Sequence, residues 1–130
     1  MYGRLADQIR GHQGQMMRRS KELDALMVKG YSALFDNDAQ VLSVIAGRGE
    51  RYIEIGTYCG GSALVAGLAG CEVHCIDTWD YTRRQDLKQV GHYFPVEADV
   101  RENWAAAGLD PDRLHLYQHR TPPLPEEVRN

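Results

Sequence analysis

Nine consecutive residues, Glu54-Ile55-Gly56-Thr57-Tyr58-Cys59-Gly60-Gly61-Ser62, hold the residue types from which a ligand site at a strand-to-helix turn can be built. A β-favouring run, Arg51 to Ile55, ends at Gly56, and Gly60-Gly61-Ser62 opens a stretch of small apolar residues reaching Ala69. An open α/β sheet binds its ligand at such a turn, at the carboxyl ends of the strands. Gly56 permits a sharp exit from the strand, and Gly60 and Gly61 would let a ligand approach backbone amides at the helix N-terminus. Asp77 follows Gly56 by 21 residues, at the end of a second β-favouring run that starts at Cys71. A carboxylate in that place can accept hydrogen bonds from ribose hydroxyls. Without a ligand, the same glycines would simply make a tight turn and Asp77 would cap the segment after it.

The kind of nucleoside follows from what surrounds the turn. A dinucleotide fingerprint needs a second glycine where the backbone touches a pyrophosphate, and Tyr58 stands in that place. No G-x-x-x-x-G-K-[ST] loop for a nucleoside triphosphate is present. Glu54, on the strand just before Gly56, would repel a pyrophosphate and attract a cation. S-adenosylmethionine offers a ribose to Asp77, carries an α-ammonium and a sulfonium, and has no phosphate. Its charges suit the turn better than those of NAD.

Positioning these residues requires an ordered set of elements. Residues 3–34 read as helix in two pieces, with apolar Leu5, Ile9, Met16, Leu23, Leu26, Met27 and Leu34 at helical spacings and a break near Gly11 and Gly14. Asp36-Asn37-Asp38 supplies N-cap candidates for a second helix, which Gly47 and Gly49 stop. The strand at 51–55, the helix to Ala69 with Gly70 as its stop, and the strand at 71–77 form a compact βαβ unit with parallel strands. Between 78 and 95, Trp79, Tyr81, Tyr93 and Phe94 lie among charges, with a short helix over 82–90. Pro95 starts a helix over 96–107 that Gly108 ends. Asp110-Pro111-Asp112 turns into a third strand at 114–117, patterned as an edge strand. Thr121-Pro122-Pro123-Leu124-Pro125 then breaks regular structure, leaving Glu126-Glu127 as a solvated end. The predicted fold is α/β, a Rossmann-like partial parallel sheet of about three strands with helices on both faces. An N-terminal helical segment (1–35) precedes the partial cofactor-binding domain (36–130).

The two motifs together resemble the cofactor site of class I S-adenosylmethionine-dependent methyltransferases. The branch concerned has a first motif E-[IV]-G-T-Y-x-G-x-S and a later strand ending I-D-x-W. Glu54 to Ser62 follows the first pattern throughout, and Cys75-Ile76-Asp77-Thr78-Trp79 follows the second. The resemblance implies that the turn Gly56, Thr57, Tyr58, Gly60, Gly61 and Ser62 holds the methionine end, with Glu54 near its ammonium group. It implies that Asp77 binds the ribose hydroxyls, with Thr78 and Trp79 flanking sugar and adenine. The helix with Asn103 and the strand ending His119-Arg120-Thr121 resemble the third βα unit, whose last residues border the adenine. Such enzymes have seven strands in the order 3-2-1-4-5-7-6, whereas three are readable here and nine residues follow Thr121. The expectation is therefore a truncated or split domain, or one that self-associates, because strand 1 would keep a bare edge. Methyl transfer to an unknown acceptor, a small molecule for instance, is the leading function. A non-catalytic cofactor-binding or assembly module is the alternative, and an NAD-dependent oxidoreductase fragment a weaker one. No catalytic base is assigned.

Bulk properties narrow the field further. Fifteen Lys and Arg against eighteen Asp and Glu give a net charge of −3, so no nucleic-acid partner is expected. No apolar run is long enough to span a bilayer and no secretory signal is evident, so no membrane role is expected. Three cysteines, Cys59, Cys71 and Cys75, fit a reducing cytoplasm. Cys71, His74 and Cys75 are the wrong set for a metal, since His74 points to the opposite side of its strand and no second Cys/His pair follows. No metal site is expected. Cys59 reads as a packed thiol, and His92, His115 and His119 as surface or edge-strand residues.

Overall fold

In the computed structural model the described residues are 21–32, 34, 36–81 and 93–129. The helix expected before residue 21, the one expected over 82–90, and His92 lie outside them. Among the described residues five α-helices and three strands follow one another as α1 (Lys21–Leu26), α2 (Asp36–Ala46), β1 (Arg51–Ile55), α3 (Gly61–Leu68), β2 (Glu72–Asp77), α4 (Glu97–Ala106), β3 (Leu114–Gln118) and α5 (Glu126–Arg129). A 3-10 turn, Pro111–Arg113, leads into β3, and its start is capped by the Asp110 carboxylate, which accepts from the Asp112 amide.

The sheet has the order β1-β2-β3, with both pairs parallel. Side chains alternate across a strand, so register assigns each residue to a face. Tyr52, Val73 and Leu114 share one row of the first face, and Glu54, Cys75 and Leu116 the next. That face packs on α1–α4, in a core built around Leu23, Met27, Ala63, Leu64, Ala66, Val100 and Trp104. The second face carries Arg51 and Glu72, then Ile53, His74 and His115, then Ile55, Ile76 and Tyr117. Only the short α5 is described against it, where Val128 is buried and Arg51 Nη2 donates to the Val128 carbonyl at 3.3 Å.

The expected break over Thr121 to Pro125 is present, since these residues form neither helix nor strand, but the end that follows is helical where a plain solvated tail was expected. Pro125 begins a helical turn, its carbonyl accepting from the amides of Val128 and Arg129 at 3.0 and 3.3 Å. Proline suits that place because its fixed φ is already helical and the amide it lacks would have had no partner. The Leu/Met stripe of the N-terminal segment packs as expected at Leu23 and Met27, while Leu26 is exposed. Among the described residues β1 pairs only with β2, and exposed apolar side chains are found on β1 at Ile53 and Ile55 and on α2 at Val41, Val44 and Ile45. No helix among the described residues is long and apolar enough to cross a membrane.

One glycine shows how tightly α3 is seated. A Cβ on Gly67 would stand 2.5 Å from Trp104 Cη2 and 2.9 Å from Leu109 Cδ1. Mid-helix Gly→Ala gains about 1 kcal/mol of propensity, but overpacking a filled core costs about 1–3 kcal/mol. Trp104 is fully buried, with its indole N–H donating to the Asp110 carbonyl at 2.8 Å, so it cannot step aside. Gly67→Ala should therefore destabilise the protein by on the order of 1–2 kcal/mol in urea denaturation, against the sign that helix propensity alone would give.

Candidate functional site

The carboxyl ends of β1 and β2 are tied together by Asp77. Its Oδ2 accepts from the amides of Thr57 and Tyr58 at 2.7 and 3.1 Å, and its Oδ1 from the amide of Trp79 at 2.9 Å. The turn is thereby held against the end of β2 by charge-assisted hydrogen bonds, which are among the stronger kinds. A carboxylate has about four lone-pair sites. Oδ2 is filled by two donors, so the carboxylate keeps one free place, at Oδ1. Two non-glycine residues, Tyr58 (φ 55) and Trp79 (φ 45), sit in the left-handed region on either side of this anchor.

Glu54 lies beneath the turn on the core face, only 8% exposed. Its Oε1 accepts from the Tyr52 hydroxyl at 3.2 Å and from Ser62 Oγ, and its Oε2 is 3.8 Å from Cys75 Sγ. Thr57 Oγ1 is buried nearby and, although it helps to hold the carboxylate, makes no hydrogen bond of good geometry. Burial pushes the Glu54 pKa up to about 7, against the opposing pull of Tyr52, Thr57 and Cys75; the negative charge of Asp77 adds to the rise. Cationic residues are absent from these partners, so an ionised Glu54 is a buried charge awaiting a counter-ion.

The glycines of the turn divide into two kinds. A Cβ on Gly60 would meet Val100 Cγ1 at 2.9 Å, and one on Gly61 would meet Ser32 Oγ at 2.6 Å; both glycines are buried. The approach they permit is thus made by the protein's own segments, where a ligand was expected. Gly56 differs. It has φ +81 and nothing within 4 Å of where a Cβ would be, so the turn opens at this end.

That opening leads into a concavity of about 200 Å³ lined by Ile55, Gly56, Ile76, Asp77, Thr78, His119, Arg120 and Thr121. The ends of all three strands meet there, which brings Gly56, Asp77 and Thr78 together with His119, Arg120 and Thr121. Glu54, Thr57, Tyr58, Gly60, Gly61, Ser62 and Trp79 do not line it. Trp79 is buried in the core, and its indole N–H donates to the Tyr58 carbonyl at 3.3 Å, bracing the turn from inside. The Tyr58 hydroxyl donates to the Tyr93 carbonyl at 2.8 Å, and its ring meets Tyr31 edge-on. His119 Nε2 lies 2.7 Å from the Pro123 carbonyl and so carries the hydrogen of that bond.

Asn103 positions the turn, a role that its sequence context did not reveal. Fully buried, it accepts at Oδ1 from the amides of Val28 and Lys29, both at 2.8 Å. Its Nδ2 donates to the carbonyls of Lys29 and Cys59 at 3.0 and 2.9 Å. One side chain thus joins α4, the segment after α1, and the glycine turn. Cys59 is a buried free thiol whose pKa burial raises, the opposite of what a reactive thiolate needs.

No protein-family model matches the chain. No curated protein matches it either. Solved structures do: a candidate O-methyltransferase from Klebsiella pneumoniae aligns over 82% of this chain and 46% of its own, with TM-score 0.51 and 19% sequence identity. A cofactor-bound protein from MTB, Rv0187, aligns over 74% of this chain and 39% of its own, with TM-score 0.48 and 22% identity. The chain therefore spans less than half the length of these two proteins. Identities this low speak to the fold alone, an α/β Rossmann-like arrangement shared with the candidate O-methyltransferase.

Proposed function

We propose that the chain binds S-adenosylmethionine across the carboxyl ends of β1, β2 and β3 and serves methyl transfer to an acceptor. The observation that carries this is the meeting of Gly56, Asp77 and Thr78 with His119, Arg120 and Thr121 around one concavity. At about 200 Å³ it is smaller than the ~300 Å³ at which pockets for drug-sized ligands begin. It suits the nucleoside part of the cofactor, with the methionine part lying along the open side of Gly56. The free place on Asp77 Oδ1 would accept from a ribose hydroxyl. An ionised Glu54 would gain its missing counter-ion in the α-ammonium group, approached directly or through the Ser62 and Thr57 hydroxyls. When bound, S-adenosylmethionine supplies an electrophilic methyl group. The chain's own contribution would be orientation and exclusion of water.

Titration calorimetry with S-adenosylmethionine and S-adenosylhomocysteine tests the proposal. Binding should weaken at least tenfold in Gly56→Val, because a β-branched residue at φ +81 must distort the turn. Preference for NADH would overturn it. The rival is a non-catalytic cofactor-binding or assembly module. Transfer of labelled methyl from the cofactor into a metabolite pool separates the two. We infer in addition that the exposed apolar side chains of β1, Ile53 and Ile55, are covered by a second copy of the chain in solution. Light scattering that finds a clean monomer at micromolar concentration would refute this.

A further inference from the structure

A second constellation lies on the face of the sheet turned away from Glu54. Glu72 and His74 are i and i+2 on β2 and point the same way, and His115 is the register partner of His74 on β3. Ligand atoms of the three side chains all lie within 4.8 Å of one another. His74 is only 6% exposed, and its Nδ1 stands 2.9 Å from the Tyr117 hydroxyl. The Nε2 atoms of His74 and His115 are both buried and form no hydrogen bond of good geometry. Yet Glu72 Oε1 approaches them to 3.4 and 2.8 Å. If Nδ1 of His74 donates to Tyr117, its Nε2 presents a lone pair to a carboxylate oxygen. Two such lone pairs facing one carboxylate are stabilised by a cation placed between them.

We propose that Glu72, His74 and His115 form a binding site for a first-row divalent cation, Zn²⁺ foremost, that clips β2 to β3. Two imidazoles and a carboxylate suit Zn²⁺ with water in a fourth position. Such a donor set disfavours Mg²⁺ and Ca²⁺, which want oxygen ligands. Zinc–nitrogen distances of about 2.0–2.1 Å require the ligand atoms to draw in, which the exposed Glu72 and the half-buried His115 can do around a fixed His74. Tyr117 orients His74 as an outer partner usually orients a metal-bound imidazole. Arg51 shares this face beside Glu72 and opposes the cation, but its guanidinium is engaged with the carbonyls of Glu127 and Val128. The site stands apart from the cofactor turn, three to five residues and so roughly 10–16 Å along β2 from Asp77, on the opposite face from Glu54. Cys71 and Cys75 take no part, since their thiols contact the Ala46 carbonyl and Glu54.

The test uses the whole chain, stripped with a chelator and titrated with Zn²⁺ by calorimetry and with Co²⁺ by visible absorption. One equivalent should bind in the micromolar range, giving the absorption of four-coordinate Co²⁺ without thiolate charge-transfer bands, and Mg²⁺ should not compete. His115→Ala and Glu72→Gln, whose side chains reach the surface, should weaken Zn²⁺ at least tenfold while leaving the circular dichroism spectrum unchanged. Tyr117→Phe should weaken it by about tenfold. Absence of binding, thiolate bands, or unchanged affinity in folded His115→Ala would each overturn the proposal. His74→Ala is not needed, since its burial makes it the variant that would perturb folding.

Discussion

Glu54→Gln should stabilise the free protein at pH 8 and weaken its hold on S-adenosylmethionine. Glu54 has a folded-state pKa of about 7, raised above its ordinary value chiefly by burial. The folded protein therefore holds a proton that the unfolded chain releases between about pH 4.5 and pH 7. In that window the folded state binds more protons, so stability from this group falls as pH rises, and the loss is complete above about pH 7. Its size is on the order of 3 kcal/mol, at 1.36 kcal/mol for each unit of displacement. Glutamine stays neutral, can accept from Tyr52 and Ser62, and can direct its amide towards Thr57 Oγ1, which has no hydrogen bond of good geometry. Urea midpoints should separate wild type from variant by most of that energy at pH 8 and by little at pH 4. A difference that stays flat with pH would show that Glu54 is not carrying a buried charge. On the proposed function, the same variant loses the partner of the ammonium group, and affinity should drop roughly 10–100-fold, as for a lost hydrogen bond to a charged group. Wild-type affinity should in turn improve as pH rises through 7. Stability and binding move in opposite directions, which is the signature expected where a charge is kept for a ligand.

The second large effect concerns Asp77. Asp77→Ala should lower stability by on the order of 3 kcal/mol, because three backbone amides lose a charged acceptor at once. The same bonds hold Tyr58 and Trp79 in left-handed conformations, which cost roughly 1–2 kcal/mol each for residues with a Cβ. Without Asp77 the turn should relax, so loss of ligand in Asp77→Ala reports the turn as much as any ribose contact. Asp77→Asn separates them. Its carbonyl oxygen can still accept from Thr57 and Tyr58, while its amide meets the Trp79 N–H as donor to donor, for a loss of about 1 kcal/mol. If the Asp77→Asn variant keeps the fold yet binds at least tenfold more weakly in calorimetry, Asp77 contacts the ligand directly. Affinity retained in Asp77→Asn and lost in Asp77→Ala would make Asp77 a positioning residue only.

Much of this architecture was legible in local pattern. Arg51–Ile55, Glu72–Asp77 and Leu114–Gln118 are short β-favouring runs bounded by glycine or a turn, and each forms a strand within a residue or two of expectation. Asp77 was found because its spacing from Gly56 reflects the length of one βα unit. What stayed hidden depended on partners remote in sequence. Gly60 and Gly61 advertise close approach, but only the folded chain reveals that Val100 and Ser32 make it. Asn103 is one polar residue on a helix until the segments it joins are seen together. Glu72, His74 and His115 acquire a common purpose only through strand register, which no local window contains. The α5 turn was lost because its prolines signal interruption, and one of them, Pro125, marks a beginning instead.

The edge at β1 has a further consequence, for how stability itself is measured. Ile53 and Ile55 are 42% and 61% exposed on a strand that, among the described residues, has a neighbour on one side only. Whatever covers such a surface binds the folded form and not the unfolded chain, and so raises the free energy of unfolding by mass action. If the cover is another copy, the melting temperature climbs with protein concentration. A single midpoint would then describe the assembly and not the chain, and every energy assigned to a substitution would hold for one concentration of protein.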